Sequence, residues 1–208
     1  MVAVHIDQGA RGLIALLTRA LALDAQAVAR VQEVGEGQLD VFVTTPFDAI
    51  ASRRTFGSTT HPGAAVNAKA LLDALREGTD EVGPARDAAW PGALPPAGGF
   101  AAREEVPVGV ARRLADEGRN LARQFSGPAG PPRSLLDGVV LTADAESAHP
   151  VEIPMRMIFA CTALGLIPGF EAPAEIPRHL RVATAGSWVR LDAPFGSVYR
   201  SARPNLLF

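Results

Sequence analysis

The sequence predicts an α+β fold in which antiparallel β-meanders pack with four helices. Short alternating apolar runs are joined by turns too short for parallel crossovers, which demands antiparallel pairing. Four other segments carry apolar residues at helical spacing. Between Gly78 and Pro107 neither period is present, and Pro and Gly are frequent. These observations predict two similar-sized halves, 1–80 and 107–208, joined by an ordered Pro/Gly-rich connector at 81–106.

The N-terminal half is predicted as strand, helix, three-stranded meander and helix. Val2, Val4 and Ile6 alternate with other residues and indicate a strand. A wide apolar face predicts a helix from Ala10 to Leu23. Two valine-containing runs flank the turn at 35–37, and a third strand is expected from Phe47 to Phe56. The last helix is predicted from Pro62 to Glu77, with proline near its first turn and Gly78 at its end.

The C-terminal half opens on an amphipathic helix predicted from Pro107 to Phe125. Its large apolar residues share one face, and charged residues occupy the opposite face. The apolar face comprises Val110, Leu114, Leu121 and Phe125, and the charged face Arg112, Asp116, Arg119 and Arg123. A hairpin is then expected at 135–142 and 151–153, followed by a buried helix from Met155 to Gly165. Two or three strands between Leu180 and Arg200 close the chain.

The connector carries large apolar side chains that a disordered linker normally lacks, namely Trp90, Leu94 and Phe100. Two alternatives remain open: these residues pack against the body of their own chain, or they anchor a partner. The tail residues Leu207 and Phe208 are also expected to be buried somewhere. The predicted partner-binding residues are therefore Trp90, Leu94, Phe100, Leu207 and Phe208.

Composition limits the partners and the compartment. The 208 residues carry a net charge of −2, which gives no electrostatic reason to expect nucleic acid or a membrane as partner. Cys161 is the single cysteine, so an intrachain disulfide is excluded. The apolar patch from Leu13 to Leu17 is too short for a signal peptide or a membrane span. We expect a cytoplasmic protein.

Three segments, from Gly83 to Gly92, from Ser126 to Asp137 and from Gly186 to Ser197, resemble an uncharacterised protein family of actinobacteria. The resemblance covers most of the chain. It implies a cytoplasmic protein from a high-GC bacterium and no assigned activity. No functional residue can be carried over from it.

No segment carries a strong catalytic or metal-binding pattern. Asp144, Glu146, His149 and Glu152 lie close in sequence and could ligate a divalent cation, but a solvated turn attracts the same residue types and calcium-loop spacing is lacking. Cys161 lies in an apolar run, where a thiolate is disfavoured. We predict no catalytic residues, no cofactor and no metal.

Two functions fit this sequence. The first is a non-enzymatic interaction or scaffold protein that binds another protein or a second copy of itself. The second is a small-molecule-binding protein or enzyme with a pocket between the two halves. Asp137, Arg190, Asp192 and His179 lie near predicted strand ends and would serve this second function. We favour the first.

Overall fold

In a computed structural model, the structure describes residues 1–125, 131–169 and 171–201. The chain divides into two compact units, Met1–Ala97 (unit 1) and Gly98–Phe208 (unit 2). Each unit combines helices with antiparallel strands, which confirms the predicted α+β class. The boundary between the units falls inside the predicted connector.

Unit 1 consists of two helices and an antiparallel sheet. Its strands pair in the order β5-β2-β3-β4-β1-β6. In chain order the elements are β1 (Val2–Gln8), α1 (Ala10–Leu23), β2 (Val28–Gly35), β3 (Gln38–Thr44), β4 (Ile50–Thr59), β5 (Ala65–Asn67), α2 (Ala68–Glu77) and β6 (Glu81–Gly83).

Leucines of the two helices form much of the core of unit 1. Leu13, Leu16 and Leu17 of α1 and Leu71 of α2 are fully buried or nearly so. Burying each such side chain stabilises the fold by about 1.5–3 kcal/mol. The apolar periodicity of α1 therefore reports a real core face, and α1 has the predicted bounds.

Helix α2 begins later than predicted. Residues 65–67 form β5 and pair with Val28–Arg30 of β2, so the backbone there is extended. Asn67 then caps the helix, because its side-chain oxygen accepts hydrogen bonds from Lys69 N and Ala70 N. The predicted start at Pro62 was wrong because sheet pairing overrode local helix propensity.

Strands β1 and β4 approach closely at Gly57. A Cβ atom at this position would lie 1.9 Å from the carbonyl oxygen of His5. Only glycine fits such a backbone contact, which explains a glycine inside a strand.

Unit 2 contains a four-stranded antiparallel sheet in the order β12-β11-β10-β7 and a separate hairpin, β8-β9. The elements in chain order are β7 (Ala101–Pro107), α3 (Val108–Phe125), α4 (Arg133–Asp137), β8 (Val139–Ala143), β9 (Val151–Pro154), α5 (Met155–Ala163), β10 (His179–Ala185), β11 (Trp188–Ala193) and β12 (Gly196–Ser201). Helix α5 is almost wholly buried, as predicted.

The structure also corrects the prediction at residues 133–137 and in the connector. The described residues form five α-helices rather than four, because residues 133–137 form α4 instead of the start of a hairpin. Strands β6 and β7 occupy both ends of the predicted connector, and Asp87–Ala89 form a 3₁₀ turn between them. Strand β7 gave no periodicity signal because it is an edge strand whose residues are exposed except Val106.

The buried face of α3 is not the face that carries its large apolar residues. Small residues, Ala111, Ala115, Gly118 and Ala122, are buried together with Val108. A Cβ atom on Gly118 would lie 2.6 Å from Met155 Cε and 2.9 Å from a ring carbon of Phe159, so α3 packs tightly on α5. At 100° per residue, the predicted apolar face lies about a quarter turn away.

Candidate functional site

Trp90 is fixed inside unit 1. Its side chain is 6% exposed, and the Arg30 guanidinium lies 5.8 Å from the indole centroid. The preceding turn is tied to β5, because Asp87 Oδ1 accepts a hydrogen bond from Ala65 N and Arg86 N donates to Ala65 O. The internal-packing alternative therefore describes Trp90 in this fold, and its use by a partner stays a prediction.

Phe100 belongs to a cluster in unit 2 and is half-buried. Its ring meets Tyr199 edge-on, with centroids 5.9 Å apart, and the Arg190 guanidinium lies 4.2 Å from its centroid. Arg190 also pairs with Asp192, which accepts a hydrogen bond from Ser197 Oγ at 2.6 Å. Phe100 therefore contacts residues of both β11 and β12. Leu94 is half-buried in unit 1, and Leu207 and Phe208 lie outside the described residues.

Helix α3 leaves part of its large apolar stripe in solvent. The large apolar stripe consists of Val110, Leu114, Leu121 and Phe125. Leu121 is 44% exposed and Phe125 is 67% exposed, while Val110 and Leu114 are half-buried. The sequence pattern placed these four residues on one apolar face of the helix. It missed the small-residue face because alanine and glycine contribute little to a hydrophobicity pattern.

An open cleft of about 460 Å³ lies within unit 2. Its floor and walls come from the β8-β9 hairpin, α5, the β10-β11 turn and β12. The apolar lining includes Trp188, Met157 and Val189, and the charged lining Arg103, Asp137, Glu152 and Arg200, with His149 beside them. This volume falls in the range of small-molecule sites, about 300–1,000 Å³.

The charged groups of the cleft are unequally satisfied. Arg156 of α5 binds Asp137 through Nε and Nη2, and Arg103 Nε donates to Thr184 Oγ1 at 2.9 Å. Arg103 also lies 3.6 Å from Asp144. Arg200 has only an ion pair of 3.8 Å with Asp137, and its buried Nε has no hydrogen-bond partner among the described residues.

The predicted polar candidates are only partly brought together. Asp137 reaches the cleft, whereas Arg190 and Asp192 pair with each other and His179 lies 3.5 Å from Glu105. His149 and Glu152 also line the cleft, and Asp144 accepts the Arg103 ion pair. Across the described ranges, no cluster of three or more acidic, histidine or cysteine side chains is arranged to hold a metal ion.

The thiol of Cys161 is fully buried in α5. Burial raises its pKa well above the ordinary range, and the charge of Asp192 adds to the effect. A thiolate nucleophile is therefore disfavoured at this position. Ser197 donates to Asp192 as described, and Ser187 Oγ lies 3.4 Å from Ser201 Oγ.

Comparison with protein families assigns most of the chain. A family model described as "Domain of unknown function (DUF8185)" matches residues 95–205, more than half of the chain. The chain belongs to the DUF8185 family. A second model, "Domain of unknown function (DUF8010)", matches residues 3–92. The predicted membership of an uncharacterised family is confirmed, and the actinobacterial source stays a prediction. The chain matches no curated protein.

Solved structures of DNA sliding clamps share the fold of this DUF8185 protein. The DNA polymerase sliding clamp of Pseudomonas aeruginosa is 13% identical, with a TM-score of 0.57 over 100% of this chain and 66% of that chain. The β sliding clamp of C. crescentus is 15% identical, with a TM-score of 0.59 over 97% and 64%. The clamp of Bartonella birtlesii, DNA polymerase III subunit beta bound to griselimycin, is 13% identical, with a TM-score of 0.58 over 100% and 66%.

The DUF8185 protein thus spans slightly less than two thirds of the length of these clamps. At this identity the likeness establishes the fold alone. Among the described residues, no helix is long and apolar enough to cross a membrane.

Proposed function

We propose that this DUF8185 protein is a non-enzymatic protein-interaction scaffold that associates with a second copy of itself through α3. The observation that carries the proposal is the large apolar stripe of α3, with Leu121 and Phe125 exposed on an otherwise charged helix surface. Adjacent exposed apolar side chains of this size are typical of interaction sites.

The spacing of the stripe supports a second copy as the partner. Its residues follow one another at intervals of four, seven and four positions. This sequence of intervals reads the same in both directions. An antiparallel pair of α3 helices related by a two-fold axis would therefore place Leu114 opposite Leu121 and Val110 opposite Phe125. Such self-complementary contacts are the usual basis of two-fold dimers.

The fold likeness supports the scaffold part of the proposal, because the proteins it matches are named as sliding clamps of DNA polymerase, and one is named as a DNA polymerase III subunit. The same proposal includes a cytoplasmic location. It also includes an ordered connector at 81–106 that contributes Leu94 and Phe100 to binding. The alternative, a small-molecule site or enzyme with a pocket between the halves, stays a prediction.

The direct test measures the oligomeric state of the full chain over a wide concentration range by sedimentation velocity and light scattering. We expect a concentration-dependent dimer. Leu121→Ser with Phe125→Ser should weaken it by at least tenfold, because each lost apolar side chain removes about 1 kcal/mol or more. Leu23→Ser, at an exposed leucine of α1, is the matched control and should leave association unchanged.

A wild-type chain that stays monomeric at about millimolar concentration would overturn self-association. If, in addition, no binding partner depended on Leu121 and Phe125, the scaffold function would fall too. Binding of double-stranded DNA should also be measured, because the fold is shared with DNA sliding clamps. With a net charge of −2 we expect no DNA binding at physiological salt in a mobility-shift experiment.

A further inference from the structure

The cleft of unit 2 contains two opposite charges that lack good partners. Arg200 makes no side-chain hydrogen bond within the described part of the chain, and its nearest carboxylate, Asp137 at 3.8 Å, is already bound by Arg156. The side chain of Glu152, on the exposed edge of the same cleft, likewise has no hydrogen bond or ion pair with a described residue. Both groups therefore retain binding capacity.

These two charges do not neutralise each other. Arg200 and Glu152 line one cleft, yet the described residues include no ion pair between them. A cleft with separated positive and negative groups favours a ligand that carries both charges. A simple anion would gain from Arg200 but would be opposed by Glu152, and a simple cation would meet the reverse situation.

The remaining lining shows what else the ligand should carry. Trp188, Met157 and Val189 form an apolar wall beside the charged groups. Arg103, held by Thr184 and Asp144, adds a second guanidinium in a fixed position. Pockets of this kind use apolar walls for affinity and a few placed polar groups for orientation.

We propose that this cleft binds a small zwitterion of the amino-acid type with a bulky apolar side chain. The ligand carboxylate binds Arg200, with Arg103 nearby, and the ligand ammonium binds Glu152. The side chain packs against Trp188 and Met157. This site is independent of the α3 surface, so it can fail or hold whatever the oligomeric state.

The test uses calorimetric titration of the full-length protein with three probes of one shape. L-Phenylalanine carries both charges, L-phenylalaninamide lacks the carboxylate, and N-acetyl-L-phenylalanine lacks the ammonium. We expect the zwitterion to bind about tenfold more tightly than either analogue, as for loss of one charge-assisted hydrogen bond.

Two variants then assign the roles. Arg200→Met keeps the aliphatic stem and should remove the preference for L-phenylalanine over the amide. Glu152→Gln should remove the preference over the N-acetyl analogue. Arg181→Met changes an exposed arginine on β10 that does not line the cleft, and it should bind all three probes like the wild type. Thermal denaturation verifies that each variant is folded.

Crossed dependence of this kind would support the site. Absence of binding by all three probes up to about 10 mM would overturn it, since even weak sites are detected there. Equal binding of the three probes, or binding that ignores both variants, would overturn it as well.

Discussion

Units 1 and 2 each contain a close arginine–aspartate pair, and the two pairs are built in opposite senses. In unit 1, Asp40 is only 9% exposed and binds the 54% exposed Arg54 through two hydrogen bonds of 2.8 Å. In unit 2, Arg156 is 7% exposed and binds the 51% exposed Asp137. The buried partner is thus an acid in one unit and a base in the other.

This difference in burial predicts which side chain of each pair, when removed, should lower stability more. Removing the exposed partner takes a compensating charge away from a buried group, whereas removing the buried partner leaves a charge that water can solvate. The same residue types therefore predict opposite mutational patterns. Unit 2 has a further consequence, because exposing the acid lets Asp137 lie at the cleft, where Arg200 also approaches it.

The largest expected effect is in unit 2. Asp137→Asn should lower the free energy of unfolding by about 3 kcal/mol, because the Arg156 charge stays buried and loses the carboxylate of Asp137. Arg156→Met should cost about 1 kcal/mol, since an apolar side chain of similar length fits the same space. Urea denaturation measures both values, and equal costs would contradict the inversion.

The reversed pattern is expected in unit 1, at somewhat smaller size. Arg54→Met should cost about 2 kcal/mol because Asp40 remains buried without its partner, and Asp40→Asn about 1 kcal/mol because Arg54 is solvated. The same denaturation experiment decides the matter. If Asp40→Asn were the more harmful change, burial would not be the controlling factor.

The smallest effect is expected where neither partner is buried. His5 Nδ1 lies 3.0 Å from Asp80 and Nε2 lies 3.2 Å from Asp7, all on the surface of unit 1. The hydrogen bond to Asp80, with the charges of Asp80 and Asp7, raises the pKa of His5 above its ordinary 6.5. Its stabilising contribution is therefore complete below pH 6.5 and is lost as the pH rises through the raised value.

Asp80→Asn should reduce stability more at about pH 5 than at about pH 9, in proportion to the protonated fraction of His5. Nuclear magnetic resonance titration of the His5 ring in the wild type and in Asp80→Asn checks the direction of the pKa shift. A difference that grew with pH would have the wrong sign for this cluster.

The sequence predicted the segments that are rich in apolar residues better than the short or exposed strands. The bounds of α1 and the burial of α5 followed from dense apolar residues. Strand β5 was missed because only three residues pair with β2, and β7 because exposure on both faces removes alternation. The cleft was missed altogether, since Arg103, Asp137 and Arg200 meet only through tertiary packing.

Gly118 limits the rotation of α3 about its own axis. Rolling the helix by a quarter turn would hide the large apolar stripe, but it would drive Leu114 and Leu121 into the place where only a hydrogen atom now faces Met155 and Phe159. The orientation of the stripe is therefore fixed before any encounter. A partner would bind without a prior conformational change of α3, and little conformational entropy would be lost on binding. Differences in affinity among variants of the stripe should therefore lie in the dissociation rate of the complex.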